Sequence, residues 1–284
     1  MSAALPAVAA LALAGCASQA DTTTSSPAAS PTASQDCSPE SLQTLKPGTL
    51  TIGTDSPAYP PYFEDDDPSN GKGFESAVAY AVADQLGFSQ DQVTWVTVPF
   101  NKSYAPGTKD FDFDINQISI TPKRQKAVDF SDGYYTVNQA VVALKDSPIA
   151  NATTLAELQD AKLGAQVGTT SLDFITEDIQ PTQQPYVFND TNDAKSALEN
   201  GQIDGIVVDL PTAYYVTAVE FDNAKIVGQF PAADGGEQFG LLMQKGSPIL
   251  GCVNQALGAL KESGELQQIQ DEWLSGKDAP YFTE

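Results

Sequence analysis

Short apolar strands alternate with helical segments along this chain from residue 50 onward. LTIGTD has the compact apolar run of a buried strand, whereas ESAVAYAVADQLGF has apolar residues at helical spacing and ends beside a glycine. FDFDINQISI is predicted to be a further strand and TTLAELQDA a helix. The alternation continues through KLGAQV, DAKSALENG and IDGIVVD to two helical segments, CVNQALGALKESG and ELQQIQDEWLSG. This order predicts an α/β fold with largely parallel sheets. Roughly 240 ordered residues favour two α/β lobes over one.

Composition removes several functional classes. The 284 residues include 14 lysines and arginines against 37 acidic residues, which gives a formal net charge of −23. Such a charge repels phosphate backbones, so the chain is not expected to bind nucleic acid. The absence of histidine excludes Ser-His-Asp and Cys-His nucleophile systems and histidine-ligated metal sites. The sequence therefore favours binding over catalysis, and it predicts no catalytic residues, no metal and no cofactor.

The first 36 residues have the composition of a targeting segment. Residues 3–14 form an apolar run too short to span a bilayer, and small residues precede Cys16 as in the lipobox of bacterial lipoproteins. We predict a lipoprotein signal peptide over residues 1–15 and lipidation of Cys16, which anchors the protein to the outer face of the cell membrane. The first basic residue is Lys46. The positively charged start of the signal is therefore expected upstream of Met1, and loss of export is the alternative.

The sequence predicts a tether before the folded region and a disulfide at its start. Residues 16–36 are almost wholly small and polar, which predicts a disordered tether. In an exported protein the pair Cys37 and Cys252 is expected to form a disulfide rather than a metal site or two free thiols. Such a bond would clip the start of the folded region to the C-terminal helices.

Five segments occur together in a recognisable order: GTDSPAYPPYFED, ISITPKRQKAVDFSDGYY, GAQVGTTS, GQIDGIVVDLPTAYY and GELQQIQDEWL. From about residue 50 to the end, the chain resembles the solute-binding proteins of polar amino-acid ABC importers, which have the type II periplasmic-binding fold. The block SIT-x-x-R…DFS-x-x-YY is the specific part of this resemblance. It implies two α/β lobes joined by a two-stranded hinge, QAVVALK and EQFGLLMQK. Lobe one would be residues 45–140 plus 241–284, and lobe two residues 141–240.

Arg124 is the single arginine of the chain and lies inside the most specific block. A ligand carboxylate that leaves water needs a permanent, two-pronged cation, which arginine supplies and lysine does not. The resemblance gives Arg124 this role, with Ser119 and the backbone around it nearby. Thr170, in the turn GTT that opens a helix, would bind the same carboxylate. The alternatives are a surface ion pair for Arg124 and an ordinary helix cap for the threonine.

The ligand's ammonium group needs a carboxylate on the opposite side. Asp209 ends the strand IDGIVVD and matches the family position for this contact, at a strand end where α/β proteins often bind ligands. Its alternative role is to cap the helix that begins near Pro211. The backbone carbonyl of Gln117 is expected to be a second acceptor.

The side-chain end of the ligand is less constrained. The resemblance places Asp55 where relatives contact side-chain donors, and Tyr59 and Phe100 where aromatic rings would sandwich the ligand. Both rings fit a hydrophobic core equally well. With no second arginine, an acidic ligand would depend on Lys102, so glutamine or a basic amino acid is slightly favoured.

The leading interpretation is a monomeric, non-enzymatic, lipid-anchored protein that binds a polar amino acid and delivers it to an ABC permease. One alternative is a cyclohexadienyl-acid dehydratase on the same fold. Another is a ligand-sensing input module. The acidic run EDDDPSNGKG does not match a calcium loop, and we expect a solvated hairpin tip there.

Overall fold

The computed structural model describes residues 36–230, 236–274, 276 and 279–283. The predicted signal peptide, the lipidation site Cys16 and all of the tether except its last residue lie outside the described residues. Within the described ranges, no helix combines the length and the apolar character needed to cross a bilayer.

The first lobe is built on a five-stranded sheet with the order β2-β1-β3-β12-β4. Its strands are β1 (Leu50–Thr54), β2 (Val93–Thr97), β3 (Phe113–Asp114), β4 (Val128–Phe130) and β12 (Leu242–Gln244). β1 pairs in parallel with β2 and β3, whereas β12 runs antiparallel to β3 and β4. The sheet is therefore mixed, because a strand from the far end of the chain enters it in the opposite direction.

The second lobe has its own five-stranded sheet, with the order β10-β6-β9-β7-β8. Its strands are β6 (Gln139–Leu144), β7 (Leu163–Gln166), β8 (Tyr186–Phe188), β9 (Gly205–Asp209) and β10 (Ala224–Gln229). β7 is parallel to β8 and β9, and β6 is antiparallel to β9 and β10. Alternate side chains of β6 enter two separate cores, one on each face of the sheet. This sheet too is mixed rather than largely parallel.

A two-stranded antiparallel ladder joins the lobes. It pairs β5 (Tyr135–Val137) with β11 (Glu237–Phe239). The hinge strands predicted from the sequence lie close to this ladder, but their assignment was wrong in detail. QAVVALK is β6, inside the second sheet, and EQFGLLMQK divides into β11 and β12. Gly240 lies between these two strands.

Seven α-helices complete the described part of the fold. They are α1 (Phe74–Gln85), α2 (Phe100–Ser103), α3 (Thr170–Phe174), α4 (Thr191–Glu199), α5 (Leu210–Tyr215), α6 (Leu250–Ser263) and α7 (Glu265–Trp273). π-Helical turns extend α3 over Ile175–Ile179 and α5 over Val216–Glu220, and 3-10 turns cover Pro68–Asn70, Gln90–Gln92, Arg124–Lys126 and Ala156–Leu158.

Two local predictions were wrong. TTLAELQDA forms only the 3-10 turn Ala156–Leu158, although the Glu157 carboxylate accepts the backbone N–H groups of Thr153 (2.7 Å) and Thr154 (3.0 Å), as at the start of a helix. FDFDINQISI was predicted as one strand, but only Phe113–Asp114 pairs as β3. Residues after it leave the sheet and turn towards the space between the lobes.

The predicted disulfide is confirmed. Cys37 and Cys252 are bonded, with 5.5 Å between their Cα atoms. Cys252 is fully buried on α6, in the core that also contains α1 and β1. The bond therefore ties the first described residues to the C-terminal helices, as the sequence predicted.

The end of the chain departs from the predicted division into lobes. Lobe one was predicted to extend to residue 284, but Tyr281 pairs with Gln229 and Thr283 pairs with Thr154. Phe282 is buried in the core of the second sheet. The last described residues thus belong with the second lobe, and the other boundaries stay a prediction.

Candidate ligand-binding site

A cavity of about 110 Å³ is lined by residues from both lobes. Six of the eight residues proposed from the sequence line it: Asp55, Tyr59, Phe100, Gln117, Thr170 and Asp209. The other two, Ser119 and Arg124, are not on its wall but contact residues beside it. The structure therefore brings the predicted set together around one space.

Arg124 is buried, with 7% of its surface exposed. Its Nη1 donates to the Ser119 carbonyl (2.8 Å) and its Nη2 to the Gly168 carbonyl (3.0 Å), so one guanidinium links the two lobes. Its guanidinium carbon lies 4.7 Å from the Tyr104 ring centroid. Burial lowers the pKa of Arg124, yet a guanidinium stays protonated in proteins. These contacts exclude the surface ion pair as its role.

The two threonines of the GTT turn have different roles. Thr169 is the N-cap of α3, and its hydroxyl accepts the Leu172 N–H at 3.2 Å. Thr170 is left to point its hydroxyl towards Ser119, with 3.4 Å between the two oxygens. Gly168 has a φ of +75°, which favours glycine, and the Tyr104 hydroxyl occupies the space that a Cβ would need. The turn thus presents Thr170 and the Gly168 carbonyl to the first lobe.

The hydroxyl groups that were expected to bind the ligand's carboxylate donate instead to a carboxylate of the protein itself, that of Glu237. Thr170 donates to Glu237 Oε1 at 2.6 Å, and Ser119 donates to the same oxygen. Glu237 Oε2 accepts from the buried amide of Gln139 at 3.1 Å. Glu237 begins β11, so the interlobe ladder itself supplies this carboxylate. The donor set therefore accommodates a carboxylate group.

Asp209 lies at the carboxyl end of β9 and is at the N-cap position of α5, but its side chain makes no cap hydrogen bond. Instead, Gln139 Nε2 donates to its Oδ1 at 2.7 Å. Desolvation raises the pKa of Asp209 well above its ordinary value, and the nearby Glu237 charge adds to the effect. A cation placed in the cavity would offset both causes, so Asp209 is suited to a ligand ammonium.

Gln117 has a left-handed backbone, with φ of 48°, which is uncommon for a residue other than glycine. Glu75, fully buried in the first turn of α1, holds it there. The Gln117 N–H donates to Glu75 Oε1 at 2.7 Å, and the Gln117 amide and the Tyr134 hydroxyl donate to the same carboxylate. Burial raises the pKa of Glu75 to about 7. This network fixes the position of Gln117 on the cavity wall.

The two predicted sandwiching rings each face a cation of the protein. The Phe100 centroid lies 5.4 Å from the Arg124 guanidinium, and Phe100 packs in a core of the first lobe. The Tyr59 centroid lies 5.4 Å from the Lys195 ammonium. Asp55 lines the cavity and accepts the N–H groups of Ser56 (2.7 Å) and Phe100 (3.0 Å). Ligand stacking by these rings stays a prediction.

Lys195 and Glu220 form an ion pair on the same cavity wall. Lys195 Nζ lies 2.7 and 2.9 Å from the two carboxylate oxygens of Glu220. Lys102, the alternative partner for an acidic side chain, is exposed and does not line the cavity. The basic group on the described wall is therefore Lys195.

Sequence reasoning missed Glu75, Gln139, Lys195 and Glu237. The available signal was a polar residue in an apolar context: Gln139 opens the apolar strand QAVVAL, and Lys195 lies on the buried face of α4 with Ala194 and Leu198. Buried polar groups need partners, so each such residue points to a contact that the sequence alone does not identify.

Comparisons with known proteins agree with this architecture. The family model for bacterial extracellular solute-binding proteins, family 3, matches residues 50–276. The L-cystine-binding protein TcyJ of Escherichia coli (strain K12) is 27% identical over 230 residues, which cover 80% of this chain and 83% of that protein.

Two solved structures are similar over nearly their whole length. An ancestral arginine-binding protein bound to arginine is 31% identical, with a TM-score of 0.67 and coverage of 80% of this chain and 99% of that one. The ancestral amino acid-binding protein AncCDT-1, a precursor of cyclohexadienyl dehydratase, is 31% identical, with a TM-score of 0.66 and coverage of 80% and 96%. The two-lobed fold predicted from the sequence is confirmed, and the chain belongs to the bacterial extracellular solute-binding proteins of family 3.

Proposed function

We propose that this protein captures one α-amino acid between its lobes outside the cytoplasm and delivers it to an ABC permease. Cys16 carries the lipid that holds it at the membrane, which the intact mass of membrane-extracted protein would check. The observation that carries the proposal is that hydroxyl donors already bound to a carboxylate lie beside a cavity that an acidic acceptor also lines. Glu237 already sits on the hydroxyls of Ser119 and Thr170, and Asp209 faces the same cavity.

The two ends of an amino acid fit these groups by charge. Its carboxylate takes the hydroxyls of Ser119 and Thr170 beside the Arg124 charge, and its ammonium takes Asp209. Charge-assisted hydrogen bonds of this kind contribute about 1.5–3 kcal/mol each. With the Gln117 carbonyl as the second acceptor of the ammonium there are four such contacts, which, less the free energy of closure, are consistent with micromolar affinity, about −8 kcal/mol.

Two of the relatives named above bind cystine and arginine according to their names, and the sequence favours glutamine or a basic amino acid. All of these ligands share the α-amino-acid end that the site is proposed to bind. The dehydratase alternative has weaker support, because the similar structure is itself described as an amino acid-binding protein.

A thermal-shift screen against the twenty amino acids and cystine tests the proposal. A ligand at a hundred times its Kd stabilises the folded state by about 2.7 kcal/mol, which raises the Tm by several degrees. We expect one or a few polar amino acids to do so. If no amino acid at millimolar concentration raises the Tm of folded, ligand-free protein, the proposed function is wrong.

We expect isosteric substitutions of Glu237 and Asp209 to change the ligand affinity in opposite directions. Glu237→Gln removes the charge that competes with the ligand carboxylate, so the affinity should rise by about tenfold, or 1.4 kcal/mol. Asp209→Asn removes the counter-charge of the ammonium, so the affinity should fall by at least about tenfold. Isothermal titration calorimetry measures both. A loss of affinity in both variants would make Glu237 a second ammonium acceptor instead of a competitor.

A further inference from the structure

The ion pair of Lys195 and Glu220 is built into the cavity wall rather than onto the outer surface. The side chain of Lys195 is 10% exposed and that of Glu220 is 26% exposed. Lys195 lies on the buried face of α4, and Glu220 ends the π-helical turn that follows α5. Both residues line the cavity that also contains Thr170 and Asp209. A ligand held by its α-amino-acid end in this cavity therefore shares the enclosed space with one cation and one anion.

The Lys195 ammonium also lies over the face of the Tyr59 ring, where the cationic side chain of a ligand would otherwise bind. Its ammonium lies 5.4 Å from the Tyr59 ring centroid, within the range of a cation–π contact. A guanidinium or ammonium on the ligand would need to displace Lys195 from this ring or lie next to a like charge. Either outcome disfavours a basic side chain.

The other acidic groups on this part of the wall already have donors. Asp55 accepts two backbone N–H groups, as described above, and Asp190 caps α4 by accepting the Asp193 N–H at 2.9 Å. Glu220 faces a full positive charge. Each acidic group on this part of the wall therefore already has a hydrogen-bond donor, and Lys195 and Glu220 are its pair of opposite charges.

We propose that Lys195 and Glu220 are specificity-determining residues at the side-chain end of the site. They select an α-amino acid whose side chain ends in a neutral dipolar group, with an acceptor for Lys195 and a donor for Glu220. A carboxamide, as in glutamine, and the second amino-acid end of cystine share this chemistry. This inference rests on the proposed function and narrows it, because it removes arginine and lysine from the expected ligands.

Affinities of the full chain for glutamine, cystine, arginine, lysine and glutamate test the inference. The unmodified protein should bind glutamine or cystine at least ~10-fold more tightly than arginine, and the tighter of these two identifies the dipolar group. Lys195→Met should strengthen arginine and lysine binding by ~10-fold and weaken binding of the dipolar ligand. Glu220→Gln should shift the preference the opposite way, towards glutamate, because it leaves Lys195 without an anionic partner.

Lys245→Met is the matched control, because Lys245 forms the other described salt bridge, to Asp129 at 2.7 Å, and neither residue lines the cavity. Its ligand ranking should equal that of the unmodified protein. A preference for arginine or lysine in the unmodified protein overturns the inference, as does an unchanged ranking in both cavity variants. If Lys195→Met does not fold, Glu220→Gln decides the question alone. Failure of every amino acid to bind would instead contradict the proposed function, and this inference with it.

Discussion

Replacing Arg124 by lysine is expected to weaken amino-acid binding by at least ~10-fold. The guanidinium donates in two directions at once, to the Ser119 and Gly168 carbonyls, and stacks on Tyr104. A lysine ammonium is a point charge on a flexible stem and does not reproduce this planar, two-pronged contact. The charge near the ligand carboxylate would remain, but its position and its link between the lobes would be lost.

Isothermal titration calorimetry with the amino acid found in the thermal-shift screen would measure this loss. Lys126→Arg is the matched control, since Lys126 is exposed on the same 3-10 turn and the substitution is the reverse exchange. It should leave the affinity unchanged. An Arg124→Lys variant that is folded and binds as tightly as the unmodified protein would remove Arg124 from the binding site.

The site residues that could be predicted are those with both an unusual identity and a motif around them. Arg124 is the single arginine in a specific block, and Asp209 ends an apolar strand directly before a helix. Each of these features is local in sequence, and the resemblance to solute-binding proteins gave each residue its expected role. The structure adds that Asp209 bonds to Gln139 instead of capping α5.

Glu237 could not be predicted, because its role depends on pairing across the chain. It reaches Ser119 and Thr170 only after β11 has paired with β5 and both lobes have formed. The same reason explains the misassigned hinge strands. An apolar segment such as QAVVAL has the same residue pattern whether it crosses between lobes or lies inside a sheet. Only its pairing with β9 and β10 shows that it lies inside the second sheet.

The side-chain end of the site was the least predictable from sequence. Lys195 stands beside the apolar residues Ala194 and Leu198 in DAKSALENG, but a lysine on a helix is ordinarily solvated and nothing local identifies its partner. Its partner Glu220 is 25 residues away, at the end of another helix. Contacts between separate helices depend on how each helix packs on the sheet. The spacing of apolar residues predicts that a helix forms but not which other helix it meets.

Removing the disulfide should have the largest effect on stability. Cys37 and Cys252 are separated by 215 residues, and cross-linking a loop of this length restricts the unfolded chain by about 5 kcal/mol at 25 °C in the chain-entropy treatment. Losses measured when native disulfides are removed are about 2–5 kcal/mol. We therefore expect Cys37→Ala/Cys252→Ala to unfold at a clearly lower urea concentration than the oxidised protein.

Equilibrium urea unfolding of both proteins, with and without dithiothreitol, separates the cross-link from the packing of the cysteine side chains. Reductant should lower the stability of the unmodified protein towards that of the double variant and leave the variant unchanged. Equal unfolding midpoints for the oxidised protein and the variant would show that the bond does not stabilise the fold. Because the disulfide lies in the core around α6 and its cysteines do not line the cavity, ligand affinity at 25 °C should stay the same in the folded variant. A loss of stability without a loss of affinity would show that the disulfide stabilises the first lobe and does not shape the ligand-binding site.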